Sequence, residues 1–108
     1  MRSEKSNIYG KATYGLKELQ ELISNSNTRV ITRSSRESAL NELGYYEEDI
    51  VRCVLELNMS NIYKTMEARQ VSGLMQDVYH KEVDGKLLYI KLQKNYSRKG
   101  VVISFKLK

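Results

Sequence analysis

Cysteine and histidine are almost missing: Cys53 and His80 each occur once in 108 residues. A single thiol forms no intrachain disulfide, and one thiol with one imidazole cannot assemble a Cys/His zinc site. The expectation is chemistry with no metal and no cofactor. Long apolar runs are also missing. Nothing approaches the ~20 residues needed to cross a bilayer, and the opening MRSEKSNIYGKAT has no apolar signal-peptide core. That predicts a cytoplasmic protein without a membrane partner. The third absence is local. All thirteen acids lie at or before Asp84, so the stretch carrying Lys86, Lys91, Lys94, Arg98, Lys99, Lys106 and Lys108 has none, in a chain of net charge +5. A polyanionic partner accounts for such a segment, and so does a lysine-rich solvated face.

What is present fits one domain, long enough to bury roughly two-thirds of its unfolded surface. Residues 1–12 are polar and without periodicity, and are expected to form a flexible N-terminal extension to a domain at 13–108. Thr13 is placed to cap a helix with the stripe Leu16, Leu19, Leu22 and Ile23. The segment 28–32 (TRVIT) reads as a short strand. Ser34 and Glu37 match a capping box for a second helix, which carries Ala39, Leu40 and Leu43 and stops at Gly44. A third helix runs from Glu47 to Leu57, with acids in its first turn. Met59, Ile62, Tyr63 and Met66 recur at helical spacing behind Asn58, which predicts a fourth helical segment. After the polar stretch from Glu67 to Gly73 the period becomes two, giving a three-stranded antiparallel meander with turns at Asp84-Gly85 and Asn95 to Gly100. Helices followed by strands define an α+β class, with N-terminal helices packed on an antiparallel sheet.

The turns fix testable registers. Residue numbers should sum to 169 across the first turn and to 195 across the second. Leu88, Ile90 and Leu92 then face Leu107, Phe105 and Ile103, an all-apolar face directed at the core. The other face carries Gln76, Val78, His80, Tyr89, Lys91, Gln93, Ser104 and Lys106, with Tyr89 between His80 and Lys106. Polar, basic and centred on an aromatic ring, it suits phosphate chemistry, although solvated sheet faces often share that composition.

The motifs LNELG (40–44), IYKTM (62–66), QDVY (76–79), LYIK (88–91) and VVISFKLK (101–108), in this order and spacing, resemble the MqsR toxins. That resemblance implies a RelE-like α+β fold, an endoribonuclease acting on mRNA, and a toxin–antitoxin pair in which a cognate antitoxin neutralises the toxin. It also places the family's catalytic positions on Lys64, Gln76, Tyr89 and Lys106. The last three lie on the polar face that register alone defines.

Metal-free RNA cleavage activates a ribose 2′-hydroxyl to attack the adjacent phosphorus, leaving a 2′,3′-cyclic phosphate and a 5′-hydroxyl. Lys64 and Lys106 can offset phosphoryl charge. Tyr89 can orient the 2′-hydroxyl, or deprotonate it if nearby cations lower its pKa, and Gln76 can position phosphate or ribose. Lys91, Arg98 and Lys99 read as RNA-backbone contacts. His80 has the pKa best matched to proton transfer, but as a lone histidine it is read as supporting the RNA-binding face. Cys53 is assigned no chemistry. Two rivals stand beside this reading: a non-catalytic RNA-binding module on the basic C-terminal face, and an interaction protein receiving an acidic partner.

Overall fold

The computed structural model describes residues 7–108. Its strands are β1 (Asn7–Tyr9), β2 (Arg29–Ile31), β3 (Ile62–Glu67), β4 (Met75–Val83), β5 (Lys86–Lys94) and β6 (Gly100–Leu107), and its helices are α1 (Leu16–Ser24), α2 (Arg33–Leu43) and α3 (Glu47–Leu55). The six strands make one sheet in the order β1-β3-β4-β5-β6-β2, antiparallel except where β2 runs parallel to β6. The architecture is α+β, as expected. Leu16, Leu19 and Ile23 from α1, Ala39 from α2, and Ile50, Cys53 and Val54 from α3 form one buried cluster with Tyr79, Leu88, Ile90, Leu92, Val102 and Phe105 of the sheet.

The helices keep their expected places and change their starts. Gly15, not Thr13, precedes α1. Thr13 donates its backbone N–H to the Asp77 carboxylate at 2.9 Å and shares a 2.6 Å hydroxyl contact with Thr65, so it ties the chain to the sheet. α2 is capped by Thr32, whose Oγ1 accepts from the N–H of Ser35, while Glu37 pairs with Arg33 instead of closing a box with Ser34. Thr32 wins because its hydroxyl also donates to the carbonyl of Ile103, fixing the helix start to β6. Gly44 ends the helix at φ 72°, a left-handed conformation that glycine adopts without a Cβ penalty.

The fourth helical segment does not form. Asn58 caps a single 3-10 turn, Met59–Asn61, and Ile62–Glu67 is strand β3. Ile62, Tyr63 and Thr65 favour extended backbone, and pairing on both sides with β1 and β4 outweighs the helical apolar spacing. β1 itself lies inside the segment expected to lack structure; residues 1–6 of that segment lie outside the described residues.

The first meander register holds along the whole pair, and the second holds only in the half away from its turn. β4 and β5 pair at the sum 169 throughout, from Val83↔Lys86 to Asp77↔Leu92. β5 and β6 pair at 195 from Leu88↔Leu107 to Lys91↔Ser104, then shift by one at a bulge, so that Leu92 meets Val102. Ile103, expected opposite Leu92 in the core, is the unpaired extra residue, and Val102 takes the core position. A second bulge lies between Ile62 and Lys64 on β3. The sheet edges are β1 and β2. The segment TRVIT is therefore an edge, whereas β6 is covered by β2 at Gly100–Val102 and, further along, the N–H of Leu107 donates to Glu42 of α2.

Candidate functional site

On the sheet face away from the helices, register lines up three rows. The first is Tyr9, Lys64, Val78, Lys91 and Ser104. In the second, His80, Tyr89 and Lys106 are successive partners, and the Tyr63 ring stacks on His80 with centroids 4.2 Å apart. The third joins the pairs Met66–Gln76 and Gln93–Val101 through the side-chain hydrogen bond between the two glutamines. Adjacent residues on a strand normally point to opposite faces; the β3 bulge puts Tyr63 and Lys64 on the same one. The Lys64 ammonium lies 5.7 Å from the centres of both the Tyr9 and Tyr63 rings.

Tyr89 is the hub. The ammonium groups of Lys106 and Lys91 lie 5.2 and 5.9 Å from its ring centre, where the π-face attracts cations. Lys64, Lys91 and Lys106 have no ion-pair partner among the described residues. Their crowding shows in Lys91: burial first, then the charges of Lys106, Lys64 and Arg69, lower its pKa from the ordinary lysine value. Burial raises the Tyr89 phenol, and Tyr63 adds to the shift. The condition for Tyr89 to act as a base, a phenol lowered by cations, is not met, because the cations meet the ring face while desolvation acts on the hydroxyl. Tyr89 is a protonated phenol near neutrality. His80 is shifted down by burial and by Lys108 and Lys64, and its Nε2 is buried with no hydrogen-bond partner among the described residues. It is a neutral, stacked imidazole.

Gln76 is buried, and its Nε2 donates to Oε1 of Gln93 at 2.9 Å. The two amides form the floor of a cleft of about 370 Å³ beside Lys91. Lys64, Gln76, Tyr89, Lys91, Lys106 and His80 therefore share one face. Arg98 and Lys99 do not join Tyr89: they are exposed in the turn before Gly100, at the opposite end of β6 from Lys106. Six residues of strand separate those ends, roughly 20 Å.

Reading the sequence missed Tyr9, Tyr63 and Arg69. Tyr63 could have been found by pairing 62–67 against β4, since Ile62, Tyr63 and Thr65 favour extended backbone. Asp77 was also missed. It is fully buried on the core side, where its carboxylate accepts from the backbone N–H groups of Thr13 and Tyr14, both at 2.9 Å at closest.

A small α+β domain with an open, cationic, tyrosine-centred sheet face is the class that fold and site define. Residues 11–107 match the family model MqsR_toxin, described as motility quorum-sensing regulator, toxin of MqsA, and the chain belongs to that family. It is by that membership a toxin of a toxin–antitoxin system. A search of curated proteins returned no match.

Proposed function

We propose that this toxin is a metal-independent endoribonuclease of RelE-like ancestry that cuts mRNA in the cytoplasm, and so halts translation until a cognate antitoxin binds it. The observation that carries the reading is the convergence of Lys64, Tyr89, Lys91 and Lys106 on one open face, with Gln76 next to them. A phosphodiester laid across Lys64 and Lys106 meets charge without ion-pair partners among the described residues, as a pentavalent phosphoryl group needs. In the reaction, the 2′-oxygen of the ribose loses its proton and attacks phosphorus, the bond from phosphorus to the 5′-oxygen breaks, and that oxygen takes up a proton. Tyr89, held protonated by burial, is the donor to the leaving 5′-oxygen. Lys91, whose pKa is lowered by burial and by the charges of Lys106, Lys64 and Arg69, accepts from the 2′-hydroxyl in its unprotonated form. Lys64 and Lys106 stabilise the non-bridging oxygens, Gln76 positions the neighbouring nucleotide beside Lys91, and His80 supports Tyr89 by contact between their rings. Arg98 and Lys99, distant from Tyr89, guide the RNA backbone at the far end.

The test is cleavage of single-stranded RNA by purified protein in EDTA, with product ends mapped. Expected products are a 2′,3′-cyclic phosphate and a 5′-hydroxyl. Tyr89→Phe should keep fold and RNA affinity while cutting about 10²-fold more slowly or worse. Loss of activity in EDTA, or full activity in Tyr89→Phe, would overturn the mechanism. If wild type binds RNA without cutting it, the face is a binding module.

A further inference from the structure

The cleft beside Lys91 has a use that phosphate chemistry alone does not require. Its walls are apolar: Val71 and Leu74 from the β3–β4 connection, and Ile103, turned out of the core by the β6 bulge. Its floor is the Gln76–Gln93 amide pair. Because Gln76 Nε2 donates to Gln93 Oε1, the Gln76 carbonyl oxygen and the Gln93 amino group have no partner among the described residues. An acceptor and a donor therefore sit side by side between aliphatic walls. At about 370 Å³ the space falls within the usual range for small-molecule pockets. Arg69 and Lys91 supply positive charge at its rim. A bare phosphate would leave the amides unpaired and the walls unused. A planar heterocycle on a phosphodiester chain uses all three features, since unstacked RNA bases are read by stacking and by hydrogen bonds at their edges.

We propose that this cleft is a base-reading subsite: one nucleobase of single-stranded RNA enters it, Gln93 and Gln76 read its edge, and the cleft thereby sets the sequence at which the chain is cut. The inference rests on the ribonuclease reading above and adds its specificity element. Gln93 lies four residues along β5 from Tyr89, roughly 13 Å, so the base read belongs to a nucleotide near the scissile phosphate and not to the one attacked.

Two measurements decide it. Isotope-labelled protein is titrated with the four ribonucleoside 3′-monophosphates, and with inorganic phosphate as control. One or two nucleotides should shift the Gln93 side-chain amide and the methyls of Val71, Leu74 and Ile103, and phosphate should not. Gln93→Leu should reduce the affinity difference between the strongest and weakest nucleotide about tenfold, the loss of one discriminating hydrogen bond. Val71→Trp, at an exposed wall position, should block the cleft and abolish the shifts without unfolding the chain. Separately, cut sites in a randomised RNA pool should show a base preference in wild type that relaxes in Gln93→Leu. Nucleotide shifts confined to the Tyr89 and Lys106 signals, or an unchanged cut-site preference in Gln93→Leu, would overturn the subsite. Failure of wild type to cut any RNA would refute the ribonuclease reading, and the titration would still decide the cleft.

Discussion

Replacing Asp77 with asparagine isolates the tie between the N-terminal segment and the sheet. Oδ1 accepts from the Thr13 N–H at 2.9 Å, while Oδ2 accepts from Tyr14 at 2.9 Å and from Thr13 at 3.1 Å, in a side chain with no solvent exposure. Asparagine has nearly the same shape but a single acceptor oxygen, and its amino group turns donors toward donors. One charge-assisted hydrogen bond is lost, about 1.5–3 kcal/mol, and one backbone N–H is left under-satisfied. We expect a total near 3 kcal/mol, or a fall in Tm of about 12 °C at roughly 4 °C per kcal/mol for a domain of this size. Thermal unfolding by circular dichroism measures it. Hydrogen exchange should show where the loss begins, with the Gly10 N–H, bonded to the Tyr63 carbonyl at 2.8 Å, losing protection before the core of β5. Because β1 carries Tyr9 next to Lys64, the Lys64 signals should move as well. A destabilisation below about 1 kcal/mol with an undisturbed Lys64 would refute this account of Asp77.

Gly100→Ala should cost about 1–3 kcal/mol in urea denaturation, because its Cβ would lie 2.8 Å from Cγ1 of the fully buried Ile23 and 2.9 Å from Cβ of Leu22, which moves only with α1. Acidification should destabilise the fold starting near pH 6.5: the unfolded chain protonates His80 there, whereas the folded chain, with its imidazole pKa depressed, does not until lower pH, so stability is full above 6.5 and declines below it. His80→Phe should flatten the Tm profile in that window, and an unchanged slope would mean that other groups cause it. Lys91→Arg keeps the charge but fixes the proton, so RNA affinity should survive while cleavage falls at least tenfold and the rise in rate with pH disappears. Wild-type pH dependence in that variant would exclude Lys91 as the base. Binding of an uncleavable RNA should weaken with salt at about 0.7 log units per phosphate contact, and a flat response would favour a protein partner on this face.

The part of the fold that local chemistry dictates was legible. Asp84-Gly85 supplies positive φ at both turn positions, and alternation on either side leaves one register that buries Leu88, Ile90 and Leu92. From that register His80, Tyr89, Lys91 and Lys106 fall on one face without further information. What stayed hidden depends on partners distant in sequence. Met59, Ile62, Tyr63 and Met66 satisfy a helical spacing, and only pairing with β1 and β4 decides for a strand. Asn7–Tyr9 is too short to show a period, and nothing in TRVIT reveals that it runs parallel to β6. The bulge at Ile103 was invisible because Val102 and Ile103 are both apolar, so either could fill the core position. The direction of the Tyr89 shift stayed open in the sequence because counting nearby lysines says nothing about whether they meet its ring or its hydroxyl.

The two bulges separate what this face offers a ligand from what keeps the sheet in order. In an unbroken ladder the count of residues between two points has a parity, and any insertion inverts every side chain after it. Tyr63 and Ile103 are the spare residues that absorb such a count: one places a ring over His80, the other a wall beside Gln93, and neither has a register partner on the strand where its bulge lies, β4 for Tyr63 and β5 for Ile103. Substitution at either position alters the ligand-facing surface while the alternation on both sides is untouched. Diversification of what this face recognises can therefore run through positions 63 and 103 without passing through the core.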